Sequence, residues 1–226
     1  MQHMLPLTEA DRVLEVYAER TEDRDRYSLR RPDVLYREQE LERALVKALP
    51  PLEGRKILEV GCGEGKWLRQ LIRMGAEPRN LSGIDISQSY ITRAAETLPP
   101  SVNVKVGNGE NLEFADESLD LVFQFTCLTS VLNLESRQQM AREMVRVLHP
   151  GGSVIWYDMA VNNPNNKDIQ GIGKDEIRNL FPGFAYKFRK LSLAAPIARK
   201  LDAFTIQALQ ALKVLDTHYL AVITKK

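Results

Sequence analysis

Residues 57–65 read Ile-Leu-Glu-Val-Gly-Cys-Gly-Glu-Gly, an apolar run that meets an acidic residue and then three glycines at every second position. Lacking a Cβ, Gly61, Gly63 and Gly65 let the chain turn tightly after a strand and lie directly against a ligand. Lys66 to Met74 follow as a helix, so its unpaired N–H groups and positive dipole end face the same ligand. A second apolar run closes on Asp85, whose carboxylate suits two ribose hydroxyls, as in nucleoside-binding α/β folds. A tight turn alone would explain the glycines, but it gives an acidic residue no packing reason to end the second strand. Together the two features predict an adenosine site.

Glycine spacing chooses among adenosine ligands. A dinucleotide fingerprint needs G-x-G-x-x-G, whereas the third glycine here is Gly65 and position 66 is lysine. With Glu59 in front, the run is E-x-G-x-G-x-G. It resembles the first motif of the class I S-adenosylmethionine (SAM) methyltransferases. Gly-Ile-Asp at 83–85, Asp-Leu-Val-Phe-Gln at 120–124 and Leu-His-Pro-Gly-Gly at 148–152 resemble that family's later motifs in order, so the likeness runs from Lys56 to Asp158.

The resemblance implies a Rossmann-like α/β fold: seven strands in the order 3-2-1-4-5-7-6, the last antiparallel, with helices on both faces. It also implies SAM as cofactor and S-adenosylhomocysteine (SAH) as product. On the family pattern, Gly61, Cys62, Gly63 and Gly65 line the methionine part of SAM, and Glu59 braces the loop or reaches the amino group through water. Asp85 holds the ribose and Ile86 packs on adenine. Asn108, between Gly107 and Gly109, stands where many relatives carry an aspartate that accepts from the adenine amino group; its carbonyl oxygen accepts without a charge. Gln124 and Phe125 fall near the methionine moiety. Many relatives close a tyrosine from their leading helices over the methionine carboxylate, which nominates Tyr27, with Tyr36 second.

Methyl transfer asks mainly for alignment and exclusion of water, and a hydroxyl acceptor adds the need for a general base. Tyr157 and Asp158 are the catalytic candidates, with Asn162 and Asn163 beside the acceptor. An asparagine-rich turn with Asp158 capping the next element is the equal alternative. No metal is required in principle, and Asp158 with nearby amides falls short of the two carboxylates that octahedral sites usually use.

These groups need elements to position them. Apolar spacing predicts helices over 7–20 and 33–49, then strand 56–60, helix 66–74, strand 81–85, helix 87–97 with Ser87 as N-cap, and strand 102–106. Strand 119–124, helix 135–148, a Pro-Gly-Gly turn at 150–152 and strand 153–158 follow. Helix 174–180, strand 184–192, a helix near 196–213 and strand 217–224 complete a parallel sheet covered on both faces. Along 196–213, Ile197, Leu201, Phe204, Ala208, Leu212 and Leu215 form one apolar stripe, expected to bury on the sheet. As a hypothesis, Phe204 and the 157–163 loop wall an acceptor cavity. His149 is read as complementing a helix dipole, His218 as a satisfied surface or edge residue, and Trp67 as packing.

The chain has 226 residues, 44% hydrophobic, enough for one domain with a full core: a SAM-binding core over about 55–160 and a helical N-terminal cap over about 5–50. A net charge of +1 argues against a nucleic-acid partner. No apolar run approaches a membrane span and no signal-peptide order opens the chain, so a cytoplasmic location is expected, as monomer or homodimer. Cys62 and Cys127 are expected as free thiols. The functional expectation is a methyltransferase acting on a small molecule, a natural product or sugar, at oxygen. A SAM- or nucleoside-binding protein without catalysis and a nicotinamide-dependent dehydrogenase are the alternatives.

Overall fold

The computed structural model describes residues 8–20, 28–164, 166–213 and 215–226. Two helices, α1 (Glu9–Arg20) and α2 (Pro32–Ala48), precede β1 (Ile57–Val60), α3 (Lys66–Arg73), β2 (Leu81–Asp85), α4 (Gln88–Thr97) and β3 (Asn103–Val106). The second half runs β4 (Leu119–Phe125), α5 (Leu134–Val147), β5 (Leu148–Met159), α6 (Lys174–Leu180) and β6 (Ala185–Leu193). It ends with α7 (Ala195–Ala198), α8 (Ala203–Leu212) and β7 (Asp216–Thr224). The seven strands form one sheet in the order β3-β2-β1-β4-β5-β7-β6. β1 to β5 pair in parallel, and β7 lies antiparallel between β5 and β6.

The pleat sends alternate side chains to opposite faces, which divides the core in two. Ile57, Phe123, Phe125, Ile155 and Tyr157 pack with α2, α3 and α4 through Leu41, Leu45, Leu68, Leu71 and Ala94. Leu58, Val60, Val122, Val154 and Trp156 face the other way, onto Met140, Met144 and Val147 of α5 and Ile177 and Leu180 of α6. Both faces of the central strands are therefore buried, which is why β1 and β4 read as nearly continuous apolar runs.

Two local expectations are corrected. The 150–152 turn is a bend inside β5, where Gly151 takes φ 83° and the register with β4 shifts between Leu119 and Leu121. The single helix over 196–213 is two, because Asp202 caps α8 by accepting the Thr205 N–H at 3.0 Å, and a capping residue marks a start rather than an interior position. α8 docks on α2 and β6 through Ile206, Leu209 and Gln210, whose amide donates to the Tyr36 carbonyl at 3.3 Å. The apolar stripe consequently faces outward: Phe204 is 82% exposed, Leu212 71% and Leu215 51%.

Candidate active site

One cavity of about 740 Å³ opens along the carboxyl ends of the parallel strands. Glu59, Gly61, Cys62, Gly63, Asp85, Ile86, Asn108, Gly109 and Phe125 line it, as does Trp67, whose ring also meets Phe125 edge-on at 5.0 Å. The loop after β1 is hung on β2, since the Gly61 and Cys62 N–H groups both donate to the Ile84 carbonyl, at 2.8 and 2.9 Å. At Gly61 φ is 73°, and a Cβ there would stand 2.6 Å from Cys127 Sγ. Only glycine fits. Asp85 accepts from the Gly63 N–H and the Ser87 N–H, both at 2.9 Å, so its carboxylate already organises the loop it shares with a ligand.

The electrostatics of this half favour a cation. Glu59 is 1% exposed and its Oε2 has no hydrogen-bond partner among the described residues. Burial, reinforced by the neighbouring Asp85 charge, pushes its carboxyl well above the ordinary range. Burial raises Asp85 as well, against the bonds from Ser87 and Gly63. Both thiols are free, and burial raises each of them. Asn108 Oδ1 accepts from the Glu110 N–H at 2.9 Å, so it shapes the loop after β3 from within the cavity wall.

The other half of the cavity is built by the ends of the chain. α1 contributes Val13 and Leu14, α2 contributes Val34 and Arg37, and Met159, Asn162, Asn163, Ala194, Pro196 and His218 come from β5 onward. α1 is tied to the loop after β4: Glu9 accepts from the Leu132 N–H, Arg12 donates to the Ser130 carbonyl, and the Tyr17 and Ser130 hydroxyls lie 2.8 Å apart. Asn162 Oδ1 accepts from the Gly171 N–H at 2.8 Å. Tyr157 also lines the cavity, its hydroxyl 2.6 Å from Ser192 Oγ, and burial pushes it up to about 12.

Several expected site residues stand elsewhere. Gly65, Gln124, Asp158 and Phe204 do not line the cavity, and Tyr36 packs among Leu193, Ala198 and Ile206. Tyr27 lies outside the described residues. Gly65 is the left-handed N-cap of α3, packed on Leu98. Gln124 points to the opposite sheet face, where its Oε1 accepts from the Cys127 and Leu128 N–H groups at 3.2 Å. Phe204 cannot wall the cavity because α8 docks through its other side. Asp158 is fully buried and accepts from the Thr129 hydroxyl at 2.5 Å, the Thr129 N–H at 3.1 Å and the Met159 N–H at 2.9 Å. It braces the β4 loop from outside the cavity wall.

His149 has a partner the sequence did not suggest, Asp120 at 3.1 Å. His218 is neither at the surface nor on the sheet edge: β7 is an interior strand, and the ring stacks on Tyr157 with centroids 5.0 Å apart. The signal for it was present, because an antiparallel strand beside β5 brings its first residues to the cavity end of the sheet.

Burial lifts Asp158 to about 6, against its three hydrogen bonds. A carboxyl raised in the folded state contributes most stability when protonated, and that contribution declines as pH rises from the unfolded value near 4 through 6. The stability difference between wild type and Asp158→Asn, followed by urea unfolding, is therefore expected to change by about 3 kcal/mol across this window. A difference independent of pH would contradict the buried carboxylate.

A doubly covered sheet of this order, with one antiparallel strand and a glycine loop and acidic residue ending its first two strands, is the class I methyltransferase fold. Residues 57–152 match the family model described as a methyltransferase domain. Over 120 residues the chain is 32% identical to methyltransferase GfsG of Streptomyces halstedii, covering 52% of this chain and 42% of that protein. It is 34% identical over 119 residues to the phthiotriol/phenolphthiotriol dimycocerosates methyltransferase of Mycobacterium tuberculosis, covering 50% and 40%. The chain thus spans less than half the length of the curated relatives it matches. A SAM-dependent methyltransferase from Thermotoga maritima superposes with a TM-score of 0.69 at 20% identity, over 95% of this chain and all of that one. No helix among the described residues is long and apolar enough to cross a membrane.

Proposed function

We propose that the protein transfers a methyl group from SAM to a hydroxyl of a small molecule. The observation that carries the proposal is the single cavity in which a glycine loop, two acidic residues at strand ends and a separate, partly apolar compartment meet. The orphaned Oε2 of Glu59 supports the cofactor's fit, since it is a buried acceptor in a wall that a ligand ammonium would satisfy. Asp85 is assigned to the ribose, Ile86 and Asn108 to the adenine side, and Gly61, Gly63 and Phe125 to the methionine side. When bound, SAM supplies an electrophilic methyl on a sulfonium. The chain's residues orient the acceptor and keep water out, with Val13, Leu14, Met159 and Pro196 forming the apolar wall.

A small-molecule acceptor agrees with the phthiotriol/phenolphthiotriol dimycocerosates named for the Mycobacterium tuberculosis relative. α1 and α2 act as a cap over the cofactor and acceptor together. Calorimetry tests the assignment: SAM and SAH are expected to bind and to raise the melting temperature, with NAD doing neither. Stabilisation by NAD alone would favour the dehydrogenase alternative. SAM binding without SAH formation in any acceptor screen would favour a binding protein.

A further inference from the structure

We propose that His218 is the proton acceptor for an incoming hydroxyl and that Arg37 donates a hydrogen bond to the same oxygen. This rests on the methyl-transfer function above and narrows its acceptor to a molecule that arrives as a neutral hydroxyl, a phenol or enol on an apolar body.

Hydrogen bonding fixes which imidazole nitrogen is free. The Thr217 hydroxyl donates its one proton to the Ser192 carbonyl, at 3.0 Å. It can then only accept from His218 Nδ1, also 3.0 Å away, so the proton of the neutral ring sits on Nδ1. Nε2 carries a lone pair and makes no hydrogen bond among the described residues, while the ring lines the cavity. Stacking on Tyr157, nearly parallel at 12°, holds the ring plane, and Tyr157 is itself held by Ser192. Ser192 takes φ 68°, unusual for a residue with a side chain, and its N–H donates to Glu40 Oε2 at 2.9 Å. A residue in a sparsely allowed conformation thus serves Tyr157, Thr217 and α2 at once.

Arg37 enters from α2. It lines the same cavity, forms no ion pair or hydrogen bond among the described residues, and lies close enough for its charge to favour neutral His218 and ionised Tyr157. Burial, then this charge, lowers His218 to about 3. The ring is neutral at physiological pH, so Nε2 is open to a hydroxyl donor, and a nitrogen this weakly basic takes the proton only as the new C–O bond forms and makes that O–H strongly acidic. A guanidinium without a partner among the described residues, lining the same cavity as the bare nitrogen, can donate to the acceptor oxygen while Nε2 accepts from its O–H. The step balances: the methyl's bond to sulfur breaks as its bond to the acceptor oxygen forms, the hydroxyl proton passes to Nε2 and then to solvent, and SAH is released.

The test uses the full chain with SAH bound, titrated with phenol and with anisole, which lacks the proton. Phenol is expected to bind about tenfold more tightly than anisole. His218→Phe, which keeps a ring on Tyr157, is expected to abolish that preference without changing SAH affinity. Nitrogen-15 NMR of the histidines, with the same variant for assignment, should show His218 protonated at Nδ1, bare at Nε2 and neutral down to about pH 4. Arg37 on α2, Tyr157 on β5, Ser192 on β6 and Thr217 on β7 are the groups set around it. Arg37→Met should raise its pKa. A ring protonated at Nε2 or cationic at neutral pH, or phenol binding no tighter than anisole, would overturn the proposal while leaving SAH binding intact. Failure of the wild-type protein to bind SAH would remove the methyltransferase function itself.

Discussion

Asp85→Ala is expected to weaken SAM binding by about a hundredfold or more, because two hydrogen bonds to a carboxylate are each worth roughly 1.5–3 kcal/mol and every 1.4 kcal/mol is tenfold. The protein should stay folded, since the Gly61 and Cys62 N–H groups still hang the loop on Ile84. The Gly63 and Ser87 N–H groups do lose their acceptor, so a stability loss of about 1–3 kcal/mol accompanies the loss of affinity. Asp85→Asn keeps an acceptor oxygen without the charge and should fall between. Calorimetry with SAM, beside urea unfolding of the same samples, separates the two effects. SAM affinity within threefold of wild type in the alanine variant would rule out the ribose assignment.

Gly61→Ala should be strongly damaging. A left-handed φ costs a residue with a side chain roughly 1–2 kcal/mol. The added carbon also meets Cys127 at 2.6 Å from Sγ and 2.8 Å from Cβ, where it has no room. Together these predict about 3 kcal/mol or more of destabilisation and loss of measurable SAM binding. Cys127→Ala in the same chain removes the sulfur contact but not the Cβ contact, so recovery should be partial. Full recovery would show that backbone strain at Gly61 is negligible, and an unaffected single variant would show that the loop is not packed as described.

The sheet was legible because its strands are short apolar runs between amphipathic helices, and because the glycine loop and Asp85 mark two strand ends. Asp158 and Gln124 were misplaced for a reason of geometry. Both lie in the right strands, but the pleat sends them to the face opposite Phe125 and Tyr157, and one-residue parity is easily lost without a register. Phe204 failed differently. Its helical spacing was real, yet spacing cannot say which side of a helix docks, and Gln210 won the inner position by bonding Tyr36. Arg37 escaped notice and His218 was read as a surface or edge residue because each is ordinary in its own element; only the meeting of α2 with the first residues of β7 brings both to one cavity.

That meeting has a bearing on how the molecule assembles. The Glu40 to Ser192 bond closes a separation of 152 residues, the Asp33 to Arg199 pair 166, and Lys213 reaches Glu40 across 173. Contacts so distant along the chain cost more closure entropy than the pairing of neighbouring strands, so they are expected to form later. The strands from β1 to β4 carry most of the cofactor half and can reach native pairing first. The acceptor half is then the last part to acquire its shape, and a nascent chain still lacking β6 and β7 would present a nucleoside cleft with one wall missing.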